Sequence, residues 1–110
     1  MAEQDFSLGE ALDMQRALQE RYRDKWERVC PENGKNKLLW MVGEIGEVID
    51  IVKKHGGEKA AQDEALRAML VEEMADVLMY YGDVMLSYGV TPGELKAAYT
   101  KKFERNMHRW

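Results

Sequence analysis

Only two prolines interrupt this chain, Pro31 and Pro92, and the sixty residues between them carry apolar side chains at helical intervals. Leu38, Met41, Val42, Ile45, Val48, Ile49 and Val52 follow the i, i+3, i+4, i+7 pattern of one helix face. Gly56-Gly57 then closes the segment, as glycine does where a helix must end in a left-handed turn. A second stripe starts near Gln62 or Asp63 and takes in Leu66, Met69, Leu70, Met74, Val77, Leu78, Tyr81, Val84, Met85 and Tyr88 before Gly89. Ahead of both, Ser7-Leu-Gly-Glu10 reads as a capping box. It opens a helix through Leu8, Ala11, Leu12, Leu18, Tyr22, Trp26 and Val29 to Cys30, followed by a turn from Pro31 to Asn36 centred on Asn33-Gly34. Thr91-Pro92-Gly93-Glu94 opens a last helix through Leu95, Ala98, Tyr99 and Phe103 toward Met107, with proline at the first helical position, where its missing N–H costs nothing. No segment alternates as a strand. The pattern predicts an all-α four-helix bundle, one domain over residues 1–110, in which Trp26 and Trp110 pack.

Composition excludes several classes of function. The net charge of −4 leaves no basic stripe to displace counterions from a nucleic acid polymer. No apolar run approaches the ~20 residues of a membrane span. The acids Glu3, Asp5, Glu10, Asp13 and Glu20 near the start do not suit a secretory signal. Cys30 is the single cysteine, which suits a reducing cytoplasm and makes an intramolecular disulfide impossible.

Within the two long stripes sit two acidic couplets, Glu44-Ile-Gly-Glu47 and Glu73-Met-Ala-Asp76. Acids at i and i+3 share one side of a helix, about a turn apart. At 100° per residue, Glu44 falls beside the apolar stripe next to Val48, Glu47 one step further round, and Glu73 and Asp76 at the edge of theirs. A solvated acidic face would favour basic partners at i+4, but those positions hold Val48, Ile51, Val77 and Tyr80. Two such helices side by side gather four carboxylates, which repel unless a cation lies between them. Oxygen-only ligands favour Mg2+ or Mn2+, with Ca2+ also permitted. A di-iron bundle wants Glu-x-x-His, and three residues before His55 and His108 stand Val52 and Arg105 instead. An EF-hand loop is absent.

Glu44-x-x-Glu47, a 25-residue spacer and Glu73-x-x-Asp76 together resemble the signature of the MazG-like all-α nucleotide pyrophosphohydrolases. The flanking residues agree: Leu38-Leu39-x-x-x-Gly43-Glu44-Ile45-Gly46-Glu47-Val48, and Val71 to Leu78 around the second couplet. Lys102-Phe103-Glu104-Arg105 is similar to the family's basic motif, with one residue fewer before the arginine. The likeness spans roughly residues 35 to 106.

That resemblance implies cleavage of a (deoxy)nucleoside triphosphate between its α and β phosphates, giving the monophosphate and pyrophosphate, in cleansing of the nucleotide pool. Glu44, Glu47, Glu73 and Asp76 would hold Mg2+, with Mn2+ as a substitute. Any of the four acids could position or deprotonate the attacking water, Glu47 first and Glu73 next. Lys53, Lys102 and Arg105 are expected to meet phosphates, Lys54 less so, and Trp40 to stack on the base or pack at a subunit interface. Gln15 and Gln19 could read a base edge, and Asn36 and Lys37 could contact a base or a phosphate or simply start the helix, whereas Asp83, which could extend the acidic site, is expected to be solvated. A site built from two helices encloses its substrate poorly, so a homodimer or homotetramer is expected, with the first and last helices supplying part of the contact. The alternative is a non-catalytic helical module that binds a nucleotide or a partner.

Overall fold

A computed structural model describes residues 5–109 and is helical throughout them, apart from its connections. Helix α1 spans Leu8–Arg21, a 3-10 turn Pro31–Asn33, α2 Gly34–His55, α3 Gly57–Gln62, α4 Glu64–Tyr88 and α5 Pro92–Met107. Trp110 lies outside the described residues. None of these helices is long and apolar enough to cross a membrane.

The caps explain most of the boundaries. Ser7 Oγ accepts from the Glu10 N–H at 3.1 Å, and Asp63 Oδ1 accepts from the Leu66 N–H at 3.0 Å. At Thr91 the reciprocal box forms, with Thr91 Oγ1 accepting from the Glu94 N–H and Glu94 Oε1 accepting from the Thr91 N–H. Gly89 ends α4 at φ 65°, a left-handed conformation that a side chain would strain. Two expectations are corrected. The first helix stops at Arg21 rather than Cys30, because Tyr22 turns the chain and Trp26 stacks on its ring at 4.7 Å. The glycine pair does not simply end α2: Gly56 turns at φ 87° and a six-residue helix follows before α4.

The architecture rests on α2 and α4, which pack antiparallel along most of their length. Each contributes a line of residues spaced four, then three apart: Lys37, Met41, Glu44, Val48 and Ile51 on α2, facing Leu66, Leu70, Glu73, Val77, Tyr80, Val84 and Ser87 on α4. All twelve are buried or half-buried. This is the seam of a coiled coil, with two carboxylates inside it. α1 lies across the C-terminal half of α4, where Leu12, Gln15 and Gln19 are buried. Gly34 opens α2 directly beneath the Tyr88 ring, closer than a Cβ could be accommodated.

One step round α2 from the buried seam runs a second line, Leu38, Val42, Ile45, Ile49 and Val52, all exposed. On the same side of the antiparallel pair, α4 exposes Val71, Met74 and Leu78. α5 makes almost no contact with the other helices and presents Tyr99, Phe103 and Met107 to solvent. The chain is therefore not a closed four-helix bundle. Its accessible surface is 8918 Å², against about 6,300 Å² for a globular monomer of its mass. Its radius of gyration is 16.4 Å, against about 13 Å for a compact domain of this length.

Candidate functional site

The opposite side of the α2·α4 pair is polar. Glu44 and Glu73 stand in the buried seam, and Asp76 lies one turn beyond Glu73. Each of the three is half-buried, and each offers a carboxylate oxygen within 4.8 Å of the others. Glu47 is exposed on the next turn of α2 and stands outside that group of three, though its charge is felt at Glu73. Among the described residues no ion pair reaches any of the four. The Glu73 carboxyl is held above the ordinary carboxylate range, first by burial, then by its contact with Glu44 and by the charges of Asp76, Glu44 and Glu47. Tyr80, one turn after Asp76, is also raised, by burial and by Glu44, Asp83 and Asp76. Opposite ligands of a small octahedral cation lie about 4 Å apart. A slight side-chain adjustment would thus let Glu44, Glu73 and Asp76 share one hard divalent ion.

Beside the acids opens a cavity of ≈ 430 Å³ between α1, the loop after it, α2 and α4. Its walls include Lys37, Trp40, Tyr80 and Trp26, and Asp76 joins it to the carboxylate group. Trp40 meets Tyr80 edge-on at 6.2 Å between ring centroids. The far end is held by a buried polar hub. Asp83 Oδ1 accepts from Gln15 Nε2 and from Gln19 Nε2, both at 2.9 Å, and Lys37 Nζ lies 4.0 Å from Asp83 Oδ2.

The sequence-predicted residues divide accordingly. Trp40 lies in the cavity wall beside the acids. Asp83, expected in solvent, is buried instead, because α1 covers it. Gln15 and Gln19 spend their amide N–H groups on that carboxylate. Asn36 Nδ2 donates to the Glu27 carboxylate at 2.9 Å, tying the loop to α2. Lys53 and Lys54 are exposed in the last turn of α2, and Lys102 and Arg105 are exposed on α5; none of them lines this cavity. Trp26 and Tyr80 were not singled out as site residues. Tyr80 had a signal available, lying one turn beyond Asp76 on the same line, but the folding back of the loop that carries Trp26 left no mark in the periodicity.

A family model described as the MazG nucleotide pyrophosphohydrolase domain matches residues 32–110, which include α2, α4 and the three converging carboxylates. Comparison with curated proteins and with solved structures returned no match.

Proposed function

The chain belongs to the MazG nucleotide pyrophosphohydrolase family, and on that premise we propose that it hydrolyses a (deoxy)nucleoside triphosphate between the α and β phosphates, as one domain working in the cytoplasm. The observation that carries this reading is the convergence of Glu44, Glu73 and Asp76 on one face of the helix pair within the matched segment. These acids, joined by Glu47 from the next turn of α2, would hold Mg2+, for which Mn2+ could substitute. The bound ion would neutralise the triphosphate and favour ionisation of a nearby water. Glu47 and Glu73 are the acids proposed to orient that water and take its proton. Water oxygen bonds to phosphorus as the α–β bridge breaks, and pyrophosphate leaves. Trp40 supplies a stacking face for the base.

Lys53, Lys102 and Arg105 are proposed to meet phosphates, the last two within an assembly of chains. Self-association is part of the reading, as homodimer or homotetramer. The surface in excess of a globular monomer, about 2,600 Å² per chain, is of the size that obligate partners bury. The exposed 38–52 line of α2 with Val71, Met74 and Leu78 of α4 is where a second helix pair would close a bundle.

Pyrophosphate release from a panel of (d)NTPs with and without Mg2+, repeated with Glu47→Gln and Asp76→Asn, tests the activity. Mg2+-dependent turnover lost in both variants is expected. Orthophosphate as the product, or turnover unchanged by either variant, would refute the assignment. No turnover together with nucleotide binding would favour the non-catalytic module.

A further inference from the structure

Lys37 is a buried cation whose counter-charge stands beyond hydrogen-bond range. Its side chain is 4% exposed, and Nζ lies 4.0 Å from Asp83 Oδ2, beyond hydrogen-bond range. Its other neighbour is the Trp40 ring, 4.7 Å below, which attracts the charge without satisfying the N–H groups. Asp83 is already engaged at Oδ1 by both glutamine amides. Among the described residues every fully enclosed side-chain nitrogen or oxygen has a partner. The Lys37 ammonium, which has no hydrogen bond, must therefore reach open volume, and the volume it lines is the ≈ 430 Å³ cavity. A buried ammonium whose donors face an aromatic-walled cavity calls for a ligand that brings an acceptor.

Position decides which part of a nucleotide that is. Lys37 precedes Glu44 by seven residues, about 10 Å along the helix. Nζ stands over the Trp40 ring beside Asp83, itself seven residues beyond Asp76, so phosphates held at the acids would lie short of it, whereas a base running along the cavity past Tyr80 would bring its far edge to Nζ. Resting on the triphosphate reading of the acidic cluster, we propose that Lys37 reads that edge and selects bases bearing an exocyclic keto oxygen there. Uracil, thymine, guanine and hypoxanthine satisfy the ammonium. Cytosine and adenine set an amino group against it, donor facing donor. The Gln15–Asp83–Gln19 hub fixes the position of the cation and its counter-charge, so the site cannot reverse its polarity by rotating an amide.

The test uses two matched pairs, dUTP with dCTP and dITP with dATP, each differing at that edge. In the parent the keto member should have the higher kcat/KM by about 10- to 100-fold, the range of a hydrogen bond to a charged group. Lys37→Met should bring both ratios close to one, and Lys37→Arg, which keeps the donors, should retain the preference. Equal use of both members by the parent, or a preference untouched in Lys37→Met, would overturn the proposal. A second measurement needs no variant and no turnover: quenching of tryptophan fluorescence by dUMP should occur at lower concentration than by dCMP. Hydrolysis failing on every nucleotide while dUMP still outcompetes dCMP would remove the enzymatic reading and keep the keto-selective pocket. Equal quenching by the two would remove the pocket's selectivity whatever the turnover.

Discussion

Truncating Asp83 to alanine should destabilise this chain more than any surface change, and the magnitude follows from its partners. The carboxylate is 3% exposed, receives two amide N–H groups at 2.9 Å, and is the only anion paired with Lys37 among the described residues. Removing one member of a buried ion pair costs about 3–5 kcal/mol, and each stranded amide donor about 1 kcal/mol more. Water entering through the adjoining cavity offsets part of this, since Lys37 already borders it. The expected net loss is about 4 kcal/mol, against a total of about 5–15 kcal/mol for a natural domain. Urea unfolding followed by circular dichroism at one fixed chain concentration measures it, because association would make the midpoint concentration-dependent. The decisive comparison is with Lys37→Met and the double variant. Once the ammonium is gone, Asp83→Ala strands only the amides, so the double change should fall short of the sum by at least about 1 kcal/mol. A loss under about 1 kcal/mol for Asp83→Ala, or strict additivity, would refute the view that the buried Lys37–Asp83 pair ties α2 to α4 through charge.

Three further outcomes are expected. Ile49→Glu places a charge on the exposed α2 line, where Ile49 is 55% exposed, and should weaken self-association at least about 100-fold; sedimentation of the parent itself at 12.8 kDa at micromolar concentration would contradict this. Because the Glu73 pKa is raised in the folded chain, ionising it is unfavourable there: without metal, that contribution to stability is greatest below the ordinary carboxylate pKa and falls as pH climbs through the raised value. Glu73→Gln should flatten that fall in a metal-free series of melts, and Mg2+ should reverse it in the parent alone, whereas parallel curves for the two proteins would show that the acids do not crowd one another. Gly34→Ala would drive a Cβ into the Tyr88 ring and should destabilise by about 1–3 kcal/mol despite the better helix propensity of alanine; a melt unchanged or raised would mean that the ring swings clear.

The helices were legible because their signals are local. Ser7, Asp63, Thr91 and Gly89 act through atoms within four residues, and the apolar period marks a face whichever partner covers it. What the sequence hid was long-range. Nothing near Asp83 announces that Gln15 and Gln19, more than sixty residues earlier, will bury it. Lys37 looks like an ordinary first-turn lysine until Trp40 and α4 enclose it. The acids stand out because their i+4 positions are apolar, and counting 100° per residue already sets Glu47, which projects to solvent, a step further from the stripe than Glu44, which lies in the seam. The exposed α2 line looks no different in sequence from a core stripe, because periodicity records that a face is apolar and leaves its cover unstated.

The two lines on α2 run one residue out of phase, so neighbours such as Glu44 and Ile45, or Lys37 and Leu38, belong to different surfaces. That interleaving restricts how a gene for such a chain can change length. A single codon gained or lost between Trp40 and Glu44 would rotate everything beyond it by about 100°. It would pull Lys37 and Trp40 out of line with Glu44 and break the apolar line at the same point. Gains or losses near whole turns, of about seven or eleven codons, keep both surfaces nearly in phase. Length variation is thereby directed to the Gly56–Asp63 connection and the short link between α4 and α5, where no line crosses.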